Sequence, residues 1–280
     1  MRLTSFMANN VVPELKNQVR DFWNIDPCGT RYLGNNEDFE GHARARYTLE
    51  PHIPEFAKFS SASGLEVLEI GVGTGADYLQ WLTAGANACG VDLSSVSIEM
   101  ARRRCELGGY QSELCTGDAE KLPFPDNTFD IVYSYGVLHH SPDTSQCFRE
   151  VFRVLRPGGQ ARIMIYHHPS LTAVMLWLRY GVWRAKSIRR SVSDYLESRG
   201  TKTYTRGEAR GLMAGFEDVV IRQVFSPGDL LLSQPSARFR SSVYRLVWRL
   251  YPRTLVRTFG RRLGLFLLIT GRKRQSPIEA

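Results

Sequence analysis

Residues 66–76 read Glu66-Val67-Leu68-Glu69-Ile70-Gly71-Val72-Gly73-Thr74-Gly75-Ala76, a short apolar run that breaks into glycines and then opens an amphipathic segment. A run of that length bounded by glycine is the pattern of a buried strand, and Ala76 to Ala84 continues at helical spacing. Glycines at such a turn let the backbone bend sharply and let a ligand approach where a Cβ would collide. The loop satisfies G-x-G-x-G and, through Ala76, the relaxed G-x-G-x-x-A dinucleotide fingerprint. Taken alone it leaves the ligand open, and a tight turn with no ligand stays open too.

Working outward, the same alternation repeats. Ala88 to Asp92, Ser112 to Cys115, Phe129 to Ser134, Ala161 to Tyr166 and Val219 to Val224 read as further buried strands. Helical patterns lie between them: Val96 to Cys105, a segment from Gln146 ending at Pro157-Gly158-Gly159, and one from Thr205, whose spacing to Glu208 is a capping box. Strand and helix in steady alternation predict an α/β fold with a doubly wound, mostly parallel sheet. Asp92 ends the second strand beside the glycine loop, where a carboxylate can accept both hydroxyls of a ribose. The alternative role, a helix N-cap, is available to Ser94 or Ser95.

Asp118 follows the third run in Gly117-Asp118-Ala119-Glu120-Lys121-Leu122-Pro123-Phe124. With VLEIGVGTG, GVDLS, GDAEKLPFPDNTFDIV, GVLHH and LRPGG in this order between residues 67 and 159, the chain resembles the class I S-adenosylmethionine (SAM) dependent methyltransferases, specifically the type 11 group that includes bacterial ubiquinone and menaquinone methylases. The resemblance implies a Rossmann-like sheet of seven strands with an antiparallel last strand, here Leu265 to Thr270 beside Val219 to Val224. It implies that Glu69 lies near the methionine part of SAM, that Gly71, Gly73 and Gly75 cradle it, and that Asp92 with Leu93 holds the ribose. Asp118 with Ala119 reads the adenine, and Tyr135 completes the cofactor set. Carboxylates suit this ligand because its sulfonium and α-amino groups are cationic, with no pyrophosphate demanding a basic clamp. An NAD oxidoreductase would leave Asp118 unexplained.

Methyl transfer from a sulfonium is an in-line displacement in which alignment and exclusion of water do most of the work, so a base is needed only if the acceptor must lose a proton. His139 and His140 follow the fourth strand at the sheet edge where open α/β folds bind ligands, and either is a candidate base. Packing and capping is the alternative role for the pair. No third ligand at suitable spacing accompanies them, so no metal is expected.

Residues 1–60 fall outside the alternation and are expected to form a helical cap or lid, with Phe22-Trp23-Asn24, the turn-rich Asp26 to Tyr32 and His42 to Tyr47 as its aromatic patch. Residues 61–273 form the SAM-binding domain, with insertions at about 167–204 and 226–262 and a tail at 274–280. In the first insertion Met175, Trp177, Tyr180 and Trp183 mix with Arg179, Arg184, Lys186, Arg189 and Arg190. The second places Arg245, Arg249, Arg253, Arg257 and Arg261 at four-residue steps beside Leu246, Leu250 and Leu255, with Pro252 as a kink. Such a stripe suits an anionic membrane surface. A solvated helix is the plain alternative, and RNA binding ranks below both because no RNA-binding module is visible.

The whole chain of 280 residues is basic, with 36 Lys and Arg against 28 Asp and Glu. No acid stands between Asp229 and Glu279, so the excess belongs to the C-terminal fifth. Five cysteines, Cys28, Cys89, Cys105, Cys115 and Cys147, without C-x-x-C spacing suggest neither a disulfide framework nor zinc. MRLTSFMANN shows no signal-like pattern, and the expected setting is cytoplasmic, at most peripheral to a membrane. The expected function is methylation of a small, apolar or amphipathic acceptor at oxygen, carbon or nitrogen. A SAM-binding membrane adaptor without turnover is the alternative.

Overall fold

The computed structural model describes residues 2–25, 27, 38–198, 200–232, 249–260 and 262–275. A seven-stranded sheet runs β3-β2-β1-β4-β5-β7-β6, with β1 Glu66–Ile70, β2 Asn87–Asp92, β3 Glu113–Thr116, β4 Phe129–Tyr135, β5 Leu155–Tyr166, β6 Phe216–Val224 and β7 Phe266–Lys273. The first five strands in that order are parallel, and β7 is antiparallel to both neighbours, as expected. The chain leaves β1 toward β2 and β3, then returns to place β4 on the other side of β1. That reversal opens a crevice at the carboxyl ends of β1 and β4.

Helices cover both faces: α1 Arg2–Ile25, α2 Phe39–Leu49, α3 Ile53–Ala57, α4 Ala76–Thr83, α5 Ser95–Leu107, α6 Thr144–Val154, α7 Leu171–Leu176, α8 Ile188–Tyr195, α9 Arg206–Leu212 and α10 Arg253–Phe259. One core packs Trp81, Tyr78 and Ile53 on the α4 side of the sheet. The other packs Phe148, Val151 and Leu155 beneath α6, whose apolar positions recur at helical spacing.

Two local readings are sharpened. The helix from Thr144 stops at Val154 instead of at Pro157, because Leu155 already pairs with Phe129 in the sheet. Pro157-Gly158-Gly159 therefore lies inside β5, where the register to β4 shifts and Gly158 takes a φ of +82°. The capping box forms: Thr205 accepts from the Glu208 backbone N–H while the Glu208 carboxylate accepts from the Thr205 backbone N–H. Ser94 caps α5 through the Ser97 N–H, which frees Asp92 from that duty.

Of the arginine stripe, Arg245 and Arg261 lie outside the described residues. Pro252 does interrupt the helix, standing just before α10. Arg253 turns inward and donates to the Leu230 and Leu231 carbonyls at 3.1 and 3.0 Å, so it does not extend an exposed stripe; Arg249 and Arg257 are exposed. Among the described residues no helix is long and apolar enough to cross a membrane.

Candidate functional site

The tips of β1, β2, β4 and β5, roofed by α1, α2 and the first insertion, enclose a cavity of about 960 Å³. Its first half is built by the glycine loop. Gly71, Gly73 and Gly75 have φ of +82°, +51° and +76°, all in the region that side chains resist. A Cβ on Gly71 would stand 2.1 Å from Val137 Cγ2, so glycine is what lets β1 and the post-β4 turn meet. Gly75 does not reach the cavity wall; a Cβ there would stand 2.9 Å from the Ala101 backbone, and its role is close packing of α4 on α5.

Asp92 Oδ2 accepts from the Gly73 N–H at 2.9 Å and Oδ1 from the Ser94 N–H at 2.8 Å. Each oxygen keeps lone-pair capacity for a ligand hydroxyl. Burial raises the Asp92 pKa against these donors. Glu69 is deeper still, taking the Trp81 indole N–H at 3.0 Å, and burial with the nearby Asp77 charge holds its carboxyl well above the usual range. A buried acid and a half-buried one beside a glycine cradle form a donor set suited to a cationic ligand.

At the β3 end Asp118 Oδ1 accepts from the Glu120 N–H, and Oδ2 accepts from Lys16 at 2.7 Å. Lys16 also pairs with Glu120. Thus α1 lies across the crevice, and further along it Trp23 stacks edge-on against His140 at 5.4 Å. Asn24 accepts from the Ser94 hydroxyl at 2.7 Å. Of the aromatic patch, Trp23 lines the cavity, and Asp26 and Cys28 to Tyr32 lie outside the described residues. From α2, Arg46 grips Asp77 with two bonds of 2.9 and 2.6 Å and lies 5.1 Å over the Tyr135 ring.

The second half sits over β4 and β5. His140 lines the cavity; its Nδ1 meets the Ser198 and Thr201 hydroxyls at 2.9 and 3.0 Å, and its Nε2 lies 3.2 Å from Glu197 Oε2. The Tyr166 phenol donates to Glu197 at about the same range, 3.0 Å to the nearer oxygen. His139 is separated from the site. It is fully buried, 4.3 Å from the His140 ring and 3.9 Å from Tyr166, and neither ring nitrogen has a hydrogen-bond partner among the described residues. Burial drives its pKa well below the ordinary value, so it stays neutral and packs. Glu197 also supplies the third acid or imidazole near the histidine pair that sequence spacing does not reveal, with ligand atoms of the three residues within 4.8 Å.

What shapes this half is Asp229, completely buried. It accepts from the Thr172 N–H and hydroxyl at 2.9 and 2.8 Å, the Ser226 N–H and hydroxyl at 2.8 and 2.9 Å, and the Leu265 N–H at 2.7 Å. One carboxylate thereby ties both insertions to the start of β7. Met175, Leu176, Leu231, Leu265 and Phe266 give the resulting wall its apolar character.

The structure thus gathers Glu69, Gly71, Gly73, Asp92, Leu93, Asp118, Ala119, Tyr135 and His140 around one cavity and leaves Gly75 and His139 off its wall. Sequence reasoning missed Glu50, Tyr166, Glu197 and Asp229, each of which stands outside any motif.

A family profile described as "Methyltransferase domain" matches residues 68–163, the stretch that holds both the glycine loop and the post-β4 turn. The chain carries a class I methyltransferase domain of the type 11 group. The dinucleotide reading of the glycine loop falls with that assignment. A phthiotriol/phenolphthiotriol dimycocerosates methyltransferase of Mycobacterium leprae is 32% identical over 176 residues, covering 56% of this chain and 64% of that protein. A fatty-acid O-methyltransferase of Mycolicibacterium smegmatis is 40% identical over 116 residues, 41% of either chain. The aligned parts therefore fall short of two thirds of these relatives. Among solved structures, phosphoethanolamine N-methyltransferase 2 of Haemonchus contortus, in complex with S-adenosyl-L-methionine, superposes with a TM-score of 0.58 at 20% identity, covering 91% of this chain and 60% of that one. That likeness speaks for the fold.

Proposed function

We propose that the protein transfers the methyl group of SAM to a small apolar or amphipathic acceptor held in the second half of the cavity. The observation that carries this reading is the cavity's division. Carboxylates and a glycine cradle stand at the β1 and β2 tips, and an apolar wall built from the insertions lies over β4 and β5. A volume of about 960 Å³ is at the upper end of a single small-molecule site and leaves room for donor and acceptor together.

Bound at the first half, SAM would supply an electrophilic methyl on a cationic sulfur. Glu69 and Asp92 favour that charge, Gly71 and Gly73 admit the ligand to the backbone, and Asp118 with Ala119 takes the adenine once Lys16 yields or shares the carboxylate. Trp23 and Val19 exclude water from above. The relatives named for phthiotriol and fatty-acid substrates support an apolar acceptor. The test is incubation of the chain with methyl-labelled SAM and a lipid extract. Label moving into the organic phase with the native chain, and not with Asp92→Ala, supports the reading; absence of SAM binding by calorimetry overturns it.

Peripheral membrane contact is a second reading, favoured by exposed apolar side chains beside arginines. Trp183 is 87% exposed near Arg184, and Leu250 is 70% exposed beside Arg249. Aromatic and aliphatic groups flanked by cations suit the interface of anionic lipid. Co-sedimentation with phosphatidylglycerol vesicles, weakened by Trp183→Ser and by high salt, checks it; equal recovery with neutral vesicles contradicts it.

A further inference from the structure

The turn after β4 and the segment after α8 bring His139, His140 and Glu197 together, with ligand atoms of the three residues within 4.8 Å of one another. Packing accounts for the two rings but not for their nitrogens. His139 is fully buried, and both of its ring nitrogens lack a hydrogen-bond partner among the described residues; so does His140 Nε2. A buried polar atom left without a partner forfeits its hydration and is uncommon in a folded chain, and three on adjacent residues call for a common cause. A bound ion is such a cause.

The surroundings of His140 decide which form its ring takes. Thr201 donates its hydroxyl proton to the Ser198 carbonyl at 2.6 Å, so toward His140 Nδ1, 3.0 Å away, the Thr201 oxygen accepts. The Ser198 hydroxyl, 2.9 Å from the same Nδ1, rotates to accept as well. Nδ1 therefore carries the proton, and Nε2 presents a lone pair. That lone pair stands 3.2 Å from Glu197 Oε2 without forming a hydrogen bond. Two acceptors so close repel each other unless a cation lies between them. The separation also matches a coordination shell, since two ligands on a tetrahedral ion with bonds of about 2.0 to 2.1 Å stand about 3.3 Å apart. An imidazole whose Nδ1–H is fixed by neighbouring oxygens while Nε2 is left to coordinate has the arrangement of a metal-binding histidine.

We propose that His139, His140 and Glu197 hold one divalent cation of the zinc class. Two imidazoles and a carboxylate suit zinc and its transition-metal neighbours, whereas magnesium and calcium prefer oxygen alone. Glu197 is the ligand on the solvent side, with 34% of its side chain exposed, and the Tyr166 phenol donates to its carboxylate at 3.0 Å and orients it. His140, Glu197 and Tyr166 line the cavity, which gives the ion a path of entry. With His139 on the inner side, the fourth position of a tetrahedron opens toward the acceptor half. Ion binding stands apart from the methyl-transfer reading; only the use of that open position, to hold the oxygen or nitrogen of the acceptor, rests on it.

The test starts from the full chain dialysed against a chelator, then titrated calorimetrically with zinc chloride, magnesium chloride and SAM in separate runs. One zinc per chain is expected, with a dissociation constant of micromolar order or tighter and magnesium at least ~100-fold weaker. Glu197→Gln and His139→Asn should each weaken zinc binding by at least ~10-fold. The first alters a partly exposed side chain and keeps the test decisive if the second fails to fold. Cobalt(II) in place of zinc should show the intense visible absorption of a tetrahedral ion without the near-ultraviolet band of a thiolate ligand, which separates this site from Cys89 or Cys115. Azide should change that absorption by taking the open position. Absence of zinc binding, binding unchanged in Glu197→Gln, or a thiolate band overturns the proposal. A cobalt spectrum indifferent to azide overturns the open position. Zinc binding by a chain that ignores SAM overturns the cofactor reading and leaves the metal site standing; SAM binding by a chain that ignores zinc does the reverse.

Discussion

The two halves of the cavity are built in opposite ways. The half over β1, β2 and β3 comes from short contiguous motifs in which each functional acid sits within two positions of a strand's carboxyl end, so the sheet itself places it. Glu69 ends inside β1, Asp92 is the last residue of β2, and Asp118 follows β3 by two residues. The half over β4 and β5 is assembled by contacts between distant segments. Asp229 binds groups 57 positions before it and 36 after it, and Tyr166 meets Glu197 31 positions on. A fold of this class can therefore keep the first half while the second is rebuilt, which is the physical reason that its sheet does not name its substrate.

Separate construction predicts separate failure. The largest effect is expected from Asp229→Ala, which orphans five buried donors and should cost on the order of 4 kcal/mol of stability. The comparison demands that, where the variant is still folded, SAM binding survives while binding of apolar probes is lost. Thermal unfolding without ligand, with SAM and with an apolar probe measures stability and both ligands, and simultaneous loss of the two ligands would break the division.

Glu50 stands where the halves meet, and its raised pKa gives a signed pH effect. With about 7 in the folded chain against 4.5 for the ordinary group, the native state holds more protons than the unfolded chain between those values. Stability should thus fall as pH rises through that window and level off above it. Glu50→Gln should flatten this slope, leaving the variant more stable than the native chain at pH 8 by up to about 3 kcal/mol and no better at pH 4. Denaturant midpoints across pH 4 to 8 would show it; parallel curves for the two chains would refute it.

Gly71→Ala tests the first half. The strained φ and the collision with Val137 should together cost roughly 2 kcal/mol and lower SAM affinity more than tenfold. Binding of apolar probes should change less than SAM binding, since Gly71 touches the second half only through Val137. The smallest effect is expected from Lys16→Met. A partly exposed ion pair contributes about 1 kcal/mol or less, and the gain from an unobstructed Asp118 offsets the lost cover. SAM affinity should shift by no more than a few fold, with a weaker dependence on salt than in the native chain.

The same contrast explains what could be read from the sequence. Apolar runs located six strands and the resemblance supplied the seventh; β1, β4 and β5 are mostly buried and leave an apolar signature that survives without any tertiary information, whereas β3 and β6 are partly exposed. The start of β5 was misplaced since Pro157 and the glycines look like an ending, whereas pairing of Leu155 with Phe129 had already begun. Gly75 shares its motif with Gly71 and Gly73 yet serves helix packing, a distinction that depends on Ala101, 26 residues away. His139 and His140 are adjacent and chemically identical; about a third of a 3₁₀ turn decides that one faces the cavity and the other the core. Glu50, Glu197 and Asp229 are single acids outside any motif, and nothing but their contacts marks them. Arg253 belongs to a regular stripe on paper and is removed from it by two carbonyls.

The central claim is that carboxylates at successive sheet tips hold a cationic sulfur nucleoside. Calorimetric titration of SAM into the native chain and into Asp92→Ala addresses it most directly. The account predicts a single SAM site in the native chain, weakened by about 100-fold in the variant, with no heat from NADH in either. Equal SAM affinity in the two chains, or a site that takes NADH instead, would contradict it.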